Sequence, residues 1–240
     1  MTIVSDGAGS RPSGSRAPGT GSDSTAVASA WKWVGERALL REIDGADVAS
    51  TNQSARALYD AIRARGLAEI EDLIPGARSL LVLLRPDKTP SADLLAMLGG
   101  PPLGGGAPTT STTHEILVSY GGRAGPDLDE VARLRGFGPD ALIALHSSVL
   151  YTVGFLGFAP GFAYLLGMPG EIATARLATP RTHVPAGSVA IGGEYTAVYP
   201  RESPGGWRII GRAETTLFDP LADPPARLLP GDRVRFVPRS

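Results

Sequence analysis

The 240-residue sequence contains no cysteine. That excludes disulfides, thiolate nucleophiles and cysteine-based zinc sites, and it fits a reducing compartment. Lysine is nearly missing as well, with Lys32 and Lys88 the only two. No Walker A loop occurs, so a P-loop phosphate cradle is excluded. The three histidines, His114, His146 and His183, lie far apart and show no metal-ligand spacing. Neither sign of charge dominates: 23 Lys+Arg face 24 Asp+Glu, for a formal net charge of -1. Nucleic acid and anionic membrane, which need a concentrated positive field, are therefore poor candidates for a main partner. No run approaches the ~18 uninterrupted apolar residues of a membrane span. The opening MTIVSDGAGSRPSG lacks the apolar stretch of a signal peptide. A cytoplasmic protein is the expectation.

What is present reads as a globular chain, 42 % apolar and 20 % charged, with 31 glycines and 21 prolines that predict many tight turns. Residues 1–29 are dominated by Gly, Ser, Ala and Thr and predict a disordered, passive tail, because they bury too little apolar surface to offset ordering entropy. Residues 30–108 alternate between strand and helix signals. Arg37 to Ile43 and the apolar run Ser79 to Leu84 read as strands, the second of them buried. Between them Ala55, Leu58, Tyr59 and Ile62 fall at helical spacing, with Thr51 or Asn52 as the cap and Gly66 as the stop. A short helix follows around Ser91 to Leu98. This predicts a small α/β domain of ferredoxin-like connection, closed by the Gly/Pro linker Gly99 to Pro108. Residues 109–240 begin with a strand (His114 to Ser119) and two helices (Pro126 to Arg135 and Pro139 to His146). They then turn into short β-branched runs, SVAIGG, YTAVYP, WRIIGRA, TTLFDP and RVRFVP, separated as in a β-barrel or sandwich. The fold class is α+β.

Common catalytic signatures are largely missing. Asp127, Asp129 and Glu130 look like paired acids but fall at a helix start, where negative charge is favoured and solvated. Ser188 lies in AGSVA, which lacks the glycines of a nucleophile elbow, and His183 five residues upstream is its one nearby base. Three segments carry more. His146 to Pro169 sets Phe155, Phe158, Phe162 and Tyr164 among Gly154, Gly157, Pro160 and Gly161, so the chain must fold back there, either as a core plug or as a ligand-lining loop. Pro180 to Gly193 carries Arg181, whose planar fork suits a carboxylate or phosphate, although an arginine in a structural ion pair is the commoner case. The paired Gly192 and Gly193 mark a close backbone approach. Tyr199 to Trp207 contains Ser203-Pro-Gly-Gly, an anion-binding turn or a plain hairpin.

Together these segments resemble a known family. His146-Ser-Ser, Gly157-Phe-x-Pro-Gly-Phe162, Pro180-Arg181, Val184-Pro-Ala-Gly-Ser-Val189, Ile191-Gly-Gly193, Tyr199-Pro200, Ser203-Pro-Gly-Gly-Trp207 and Leu217-Phe-Asp219 occur in the order seen in the B-type component of bacterial 5-oxoprolinase, also described as KipI or allophanate hydrolase subunit 1. The dense match runs from about His114 to Pro238; Trp31 to Leu98 agrees more loosely.

The resemblance implies a small α/β domain followed by a cyclophilin-like β-barrel. It implies a larger carboxyltransferase-like partner (the C-type component of 5-oxoprolinase, or the allophanate hydrolase subunit 2 type) and a third protein, the A-type component of 5-oxoprolinase. Together these open 5-oxoproline to glutamate at the expense of ATP, whose site could lie on a partner. Other members imply two alternatives: a regulatory module that inhibits a histidine kinase, and a carboxyltransferase-type subunit of urea metabolism. The latter would need a biotin-carrying partner, since biotin is not expected on this chain. In the 5-oxoprolinase reading, Arg181 and backbone donors hold an anionic group and His146 carries a proton. The small-molecule substrate meets Phe158, Phe162, Tyr164, Ser188, Gly192, Gly193, Thr196, Tyr199, Ser203 and Trp207. Tyr195, Thr196 and Ala197 stand where the family usually has Gln-Thr-Gly, and Ala163 where it has Pro. The Gln-to-Tyr change removes an amide that both donates and accepts, and so bears on substrate identity.

Overall fold

The computed structural model describes residues 31–99 and 111–239. The tail expected over 1–29 and nearly all of the expected linker lie outside the described residues. The small N-terminal unit opens with a hairpin, β1 (Lys32–Val34) and β2 (Ala38–Glu42). Helix α1 (Val48–Arg63), strands β3 (Ile70–Pro75) and β4 (Ser79–Leu84), and helix α2 (Ala92–Gly99) follow. The cap of α1 is Asp47, not Thr51 or Asn52: its carboxylate accepts the Ser50 N–H at 2.8 Å, and the two expected caps are buried inside the helix.

The sheet order is β1-β2-β4-β3, antiparallel throughout. A ferredoxin-like connection brings its fourth strand in after the second helix; here β1, which precedes β2, occupies that edge. Leu39, Leu80, Val82 and Leu84 pack against Leu58 and Ile62 of α1 and Leu94 and Leu98 of α2. Trp31 joins them, its indole N–H donating to the Leu98 carbonyl at 3.0 Å.

The second unit begins with β5 (Thr113–Tyr120), α3 (Leu128–Arg135) and α4 (Pro139–Ser147), followed by β6 (Leu150–Leu156) and β7 (Ala163–Leu166). It continues with β8 (Arg181–Val184), β9 (Ser188–Gly192), β10 (Tyr195–Val198), β11 (Ser203–Gly205), β12 (Arg208–Ala213) and β13 (Arg233–Pro238). Seven of these strands close a barrel in the order β10-β7-β6-β13-β5-β12-β9, with β9 and β10 completing the ring. Only β13 and β5 run parallel. Ile116, Val118, Tyr151, Val153, Leu165, Val189, Ile191, Val198, Ile210 and Phe236 fill the interior, and α3 and α4 add Val131, Ala132 and Leu142. The helix expected from Pro126 begins at Leu128. The run TTLFDP forms no strand and contributes one bridge, Phe218 to Ala226; prolines at 220, 224 and 225 remove the ladder donors a strand would need.

A second apolar layer lies on the barrel's outer face. Ala190, Ala197, Ile209, Phe162, Tyr199 and Trp207 form it together with Val184. Val184 belongs to a separate two-stranded ribbon of β8 and β11.

Candidate functional site

The site is built on that outer layer. Strands β6 and β7 are a hairpin whose loop, Gly157 to Phe162, is the Gly/Pro-framed aromatic segment. The loop closes on itself: the Gly157 N–H donates to the Phe162 carbonyl and the Phe162 N–H to the Ala159 carbonyl. Gly161 at φ 76 is packed so tightly that a Cβ would stand 2.7 Å from Phe218 Cβ. Phe158 is left at φ 67, a conformation that costs a non-glycine residue about 1–3 kcal/mol, and its ring is 61 % exposed.

From this loop the rings run in sequence around one face. Phe162 meets Phe158 at 5.2 Å, Tyr199 at 5.2 Å and Trp207 at 5.5 Å, all edge-on. Tyr164 stacks on Phe155 at 4.3 Å and meets Tyr195 at 5.6 Å. Arg176 lies over Trp207, its guanidinium carbon 5.5 Å from the ring centroid. Gly192 lies under the same indole, where a Cβ would be 2.4 Å from ring atoms.

The ribbon brings Arg181 to this face. Ser203 pairs with Val184 and Gly205 with Arg181, so two steps on β11 oppose three on β8. That bulge puts Arg181 on the same face as buried Val184, although the pleat alone would send it outward. Gly205 supplies the clearance, since a Cβ there would stand 2.3 Å from Tyr199 Oη. Arg181 Nη2 donates to Asp127 Oδ1 at 2.6 Å, and Asp127 Oδ2 accepts the Ile209 N–H at 2.6 Å. The other terminal nitrogen, Nη1, is buried without a hydrogen-bond partner, as is Ser203 Oγ on the neighbouring strand. Burial pushes the Tyr199 phenol up, with Arg176 and Arg181 pulling the other way. An arginine held at one end with a donor free at the other is suited to an anion beside an aromatic surface.

The expected residues divide into groups. Phe158, Phe162, Tyr164, Tyr199, Trp207, Gly192, Ser203 and Arg181 are gathered on one side of the barrel. The gathering is packed rather than hollow: Phe162, Tyr199 and Trp207 are only 1 %, 1 % and 4 % exposed. Of the remainder, Phe158 is exposed and Tyr164, Arg181 and Ser203 are half-buried. Ser188 is buried on β9, and Gly193 sits in the exposed β9–β10 turn at φ 69.

His146 and Thr196 lie elsewhere, inside the barrel, and both are fully buried. Thr196 gives its hydroxyl proton to the Ala190 carbonyl at 3.0 Å, so it accepts from His146 Nε2 at 2.9 Å. His146 Nδ1 therefore accepts the Tyr120 hydroxyl at 2.8 Å. The imidazole stacks on Phe236 at 4.7 Å, and burial pulls its pKa from 6.5 down to about 3. Such a histidine stays neutral near pH 7. The proton-carrier role expected of it is corrected to that of a polar core residue.

His183 is exposed, pairs with Glu202 at 3.1 Å and faces no buried serine. One of the three acids at the start of α3 departs from the expected solvated reading. Asp127 is 4 % exposed and anchors Arg181, whereas Glu130, 2.9 Å from Arg208, stays exposed. The pairing of Asp127 with Arg181 is not legible in the sequence, because 54 residues separate the two. Arg176 was not among the expected residues. A cleft of about 350 Å³ lies in the small unit, between the end of α1 and β3, and holds none of the expected residues. Among the described residues no His, Asp and Glu cluster is arranged to hold a metal, and no helix is long and apolar enough to cross a membrane.

The family described as "Carboxyltransferase domain, subdomain C and D" matches residues 29–228. The B-type component of 5-oxoprolinase from Escherichia coli O157:H7 is 42 % identical over 208 residues, which is 86 % of this chain and 94 % of that protein. Among solved structures, TTHA0988 superposes with a TM-score of 0.74 at 34 % identity, over 85 % of this chain but only 40 % of that longer one. The Kluyveromyces lactis urea amidolyase superposes with a TM-score of 0.69 at 20 % identity, over 88 % of this chain and 15 % of that one, a likeness of fold alone. With a match that runs through both the small sheet and the barrel, and with a close relative covered almost end to end, the chain belongs to the carboxyltransferase subdomain C and D family, alongside the B-type components of 5-oxoprolinase.

Proposed function

We propose that this chain is the B-type component of an ATP-dependent 5-oxoprolinase in the cytoplasm. It works only in complex with a larger carboxyltransferase-like subunit and with a third protein of the A type. Its two domains are the small α/β unit and a cyclophilin-like barrel, joined by the Gly/Pro stretch at 99–108. The observation that carries the reading is the tethered Arg181, with one buried terminal nitrogen unpaired near the buried Tyr199 and the exposed Phe158 that meets its ring, in a chain 42 % identical to a 5-oxoprolinase component of the B type.

In this reading Arg181 Nη1 and Ser203 Oγ take the carboxylate of 5-oxoproline, while Phe158 and Tyr164 flank its apolar ring edge. Asp127 keeps the guanidinium from turning away. Hydrolysis adds water across the lactam: the ring C–N bond breaks, a C–O bond forms, and the nitrogen leaves as the amine of glutamate. ATP activates the amide oxygen by passing it the γ-phosphoryl group with release of ADP, and that group leaves as inorganic phosphate once water has added; with no P-loop on this chain, the ATP site is placed on a partner in this reading. Tyr195 lies 5.6 Å from Tyr164, so the cradle is more aromatic than one with Gln at that position.

Reconstitution with a larger carboxyltransferase-like subunit and an A-type protein from the same organism tests the reading by ATP-dependent release of glutamate from 5-oxoproline. Replacing Arg181 with Ala removes a charge-assisted hydrogen bond of ~1.5–3 kcal/mol, so kcat/KM falls about 10- to 100-fold. A variant complex as active as the parent would exclude Arg181 from the site.

A further inference from the structure

Strand β4 reads SLLVLL, an unbroken apolar run. Strands covered on both faces read this way, whereas an antiparallel strand with one wet face alternates. Among the described residues only the helix-facing side of this sheet is packed into a hydrophobic cluster. Leu80, Val82 and Leu84 turn toward α1 and α2 and are fully buried; Leu81 and Leu83 turn the other way and are half-buried.

Cross-strand pairing extends that second face across all four strands. One row runs Val34, Ala38, Leu83 and Asp72; the next runs Lys32, Leu40, Leu81 and Ile74. None of the six apolar residues in these rows belongs to any of the three hydrophobic clusters of the described residues. At the edges Val34 is 48 % and Ile74 42 % exposed.

We propose that this face docks the larger partner protein, an inference that rests on the 5-oxoprolinase reading above. The chain's own remaining segments have little to offer it. Residues 1–29 carry four large apolar side chains, Met1, Ile3, Val4 and Val27, and residues 100–110 carry one, Leu103. A second copy stacked on the patch alone would also be under-supported. At ~4.8 Å between strands and ~6.6 Å between same-face residues the patch covers on the order of 200 Å², against about 800 Å² per partner in a standard interface. A larger body whose contact continues beyond the sheet meets that requirement, and TTHA0988 has this fold continued by much more chain. The partner presents an aliphatic or aromatic surface, with both charge signs at its rim to match Lys32, Glu42 and Asp72.

The test is co-expression of the full chain with a larger carboxyltransferase-like protein from the same organism, followed by size exclusion with light scattering. Ile74→Glu, at the exposed edge, and Leu81→Arg, at the centre, are each expected to weaken co-elution at least 100-fold. Leu117→Arg, on an exposed barrel position, retains it. Thermal melts separate the effect from misfolding, and the edge variant keeps the parent's Tm. Co-elution of both face variants at the parent level overturns the proposal, as does a parent chain that never binds the larger protein. A parent homodimer dissolved by Ile74→Glu assigns the face to a second copy instead. Deletion of residues 1–29 that lowers the Tm while complex formation persists in the face variants assigns it to the tail. A complex that forms through this face yet releases no glutamate upholds the docking and defeats the 5-oxoprolinase reading.

Discussion

His146 is held between Tyr120 and Thr196 with both ring nitrogens bonded and no room for a second proton. Its folded pKa of about 3 lies below the value of 6.5 it regains on unfolding. The unfolded chain therefore binds the extra proton in that window. The stability this site contributes is complete above about pH 6.5 and declines as the pH falls toward 3, by at most ~1.4 kcal/mol per pH unit. Urea unfolding at pH 7, 5.5 and 4 should show the parent losing stability faster than His146→Gln, whose amide does not titrate. A gap between the two proteins that does not change with pH would mean that His146 is not the group responsible. Asp127 shows the opposite logic: a carboxylate removed from water is tolerated because a guanidinium and a backbone N–H both point at it.

Strand β9 is buried on both faces, which is why SVAIG is apolar without alternation. Val189 and Ile191 face the barrel, and Ala190 faces the outer layer. Gly192 continues that outer face at the point where Trp207 lies flat against the backbone, 2.4 Å from where a Cβ would be. Gly192→Ala must lift the indole, with a loss of about 1–3 kcal/mol. Because Phe162 and Tyr164 lean on the same ring, the disturbance should spread along the layer. Near-UV circular dichroism and a thermal melt would register it. Unchanged aromatic ellipticity would show that the close approach is not needed to place the site.

At the scale of the whole molecule the small unit is joined to the barrel through Asn52. Its side-chain amide donates to the Gly76 carbonyl at 2.9 Å and to the Gly154 carbonyl at 3.2 Å, linking α1, the β3–β4 turn and β6. Asn52 is 0 % exposed, so Asn52→Ala leaves two carbonyls without their donor, at a loss of ~1–3 kcal/mol. Amide exchange in α1 and in β6 should then quicken together. Exchange that quickens in α1 alone would show that the two units are not coupled there. The junction lies at the strand that leads into the aromatic loop, so the small unit can bias the site without touching it.

Much of this organisation follows from local signals. Periodicity in α1, the apolar runs of β2, β4 and β9, and Gly136 at the end of α3 are set within a few residues, and the sequence alone places them. Strands β1, β8 and β11 had no such signal, being three or four residues long and largely outside the core. The ordered Gly/Pro/aromatic segments also sufficed to identify the family and to name most of the residues that gather on one face. Tertiary structure decided the rest. Asp127 meets Arg181 across 54 positions and Asn52 meets Gly154 across 102, and no local pattern records such a pairing. His146 ends a helix on a sequence motif, yet closure of the barrel put it in the core and made it neutral. Burial and partner geometry exist only once distant strands meet, and they set the charge state and reach on which the chemistry depends.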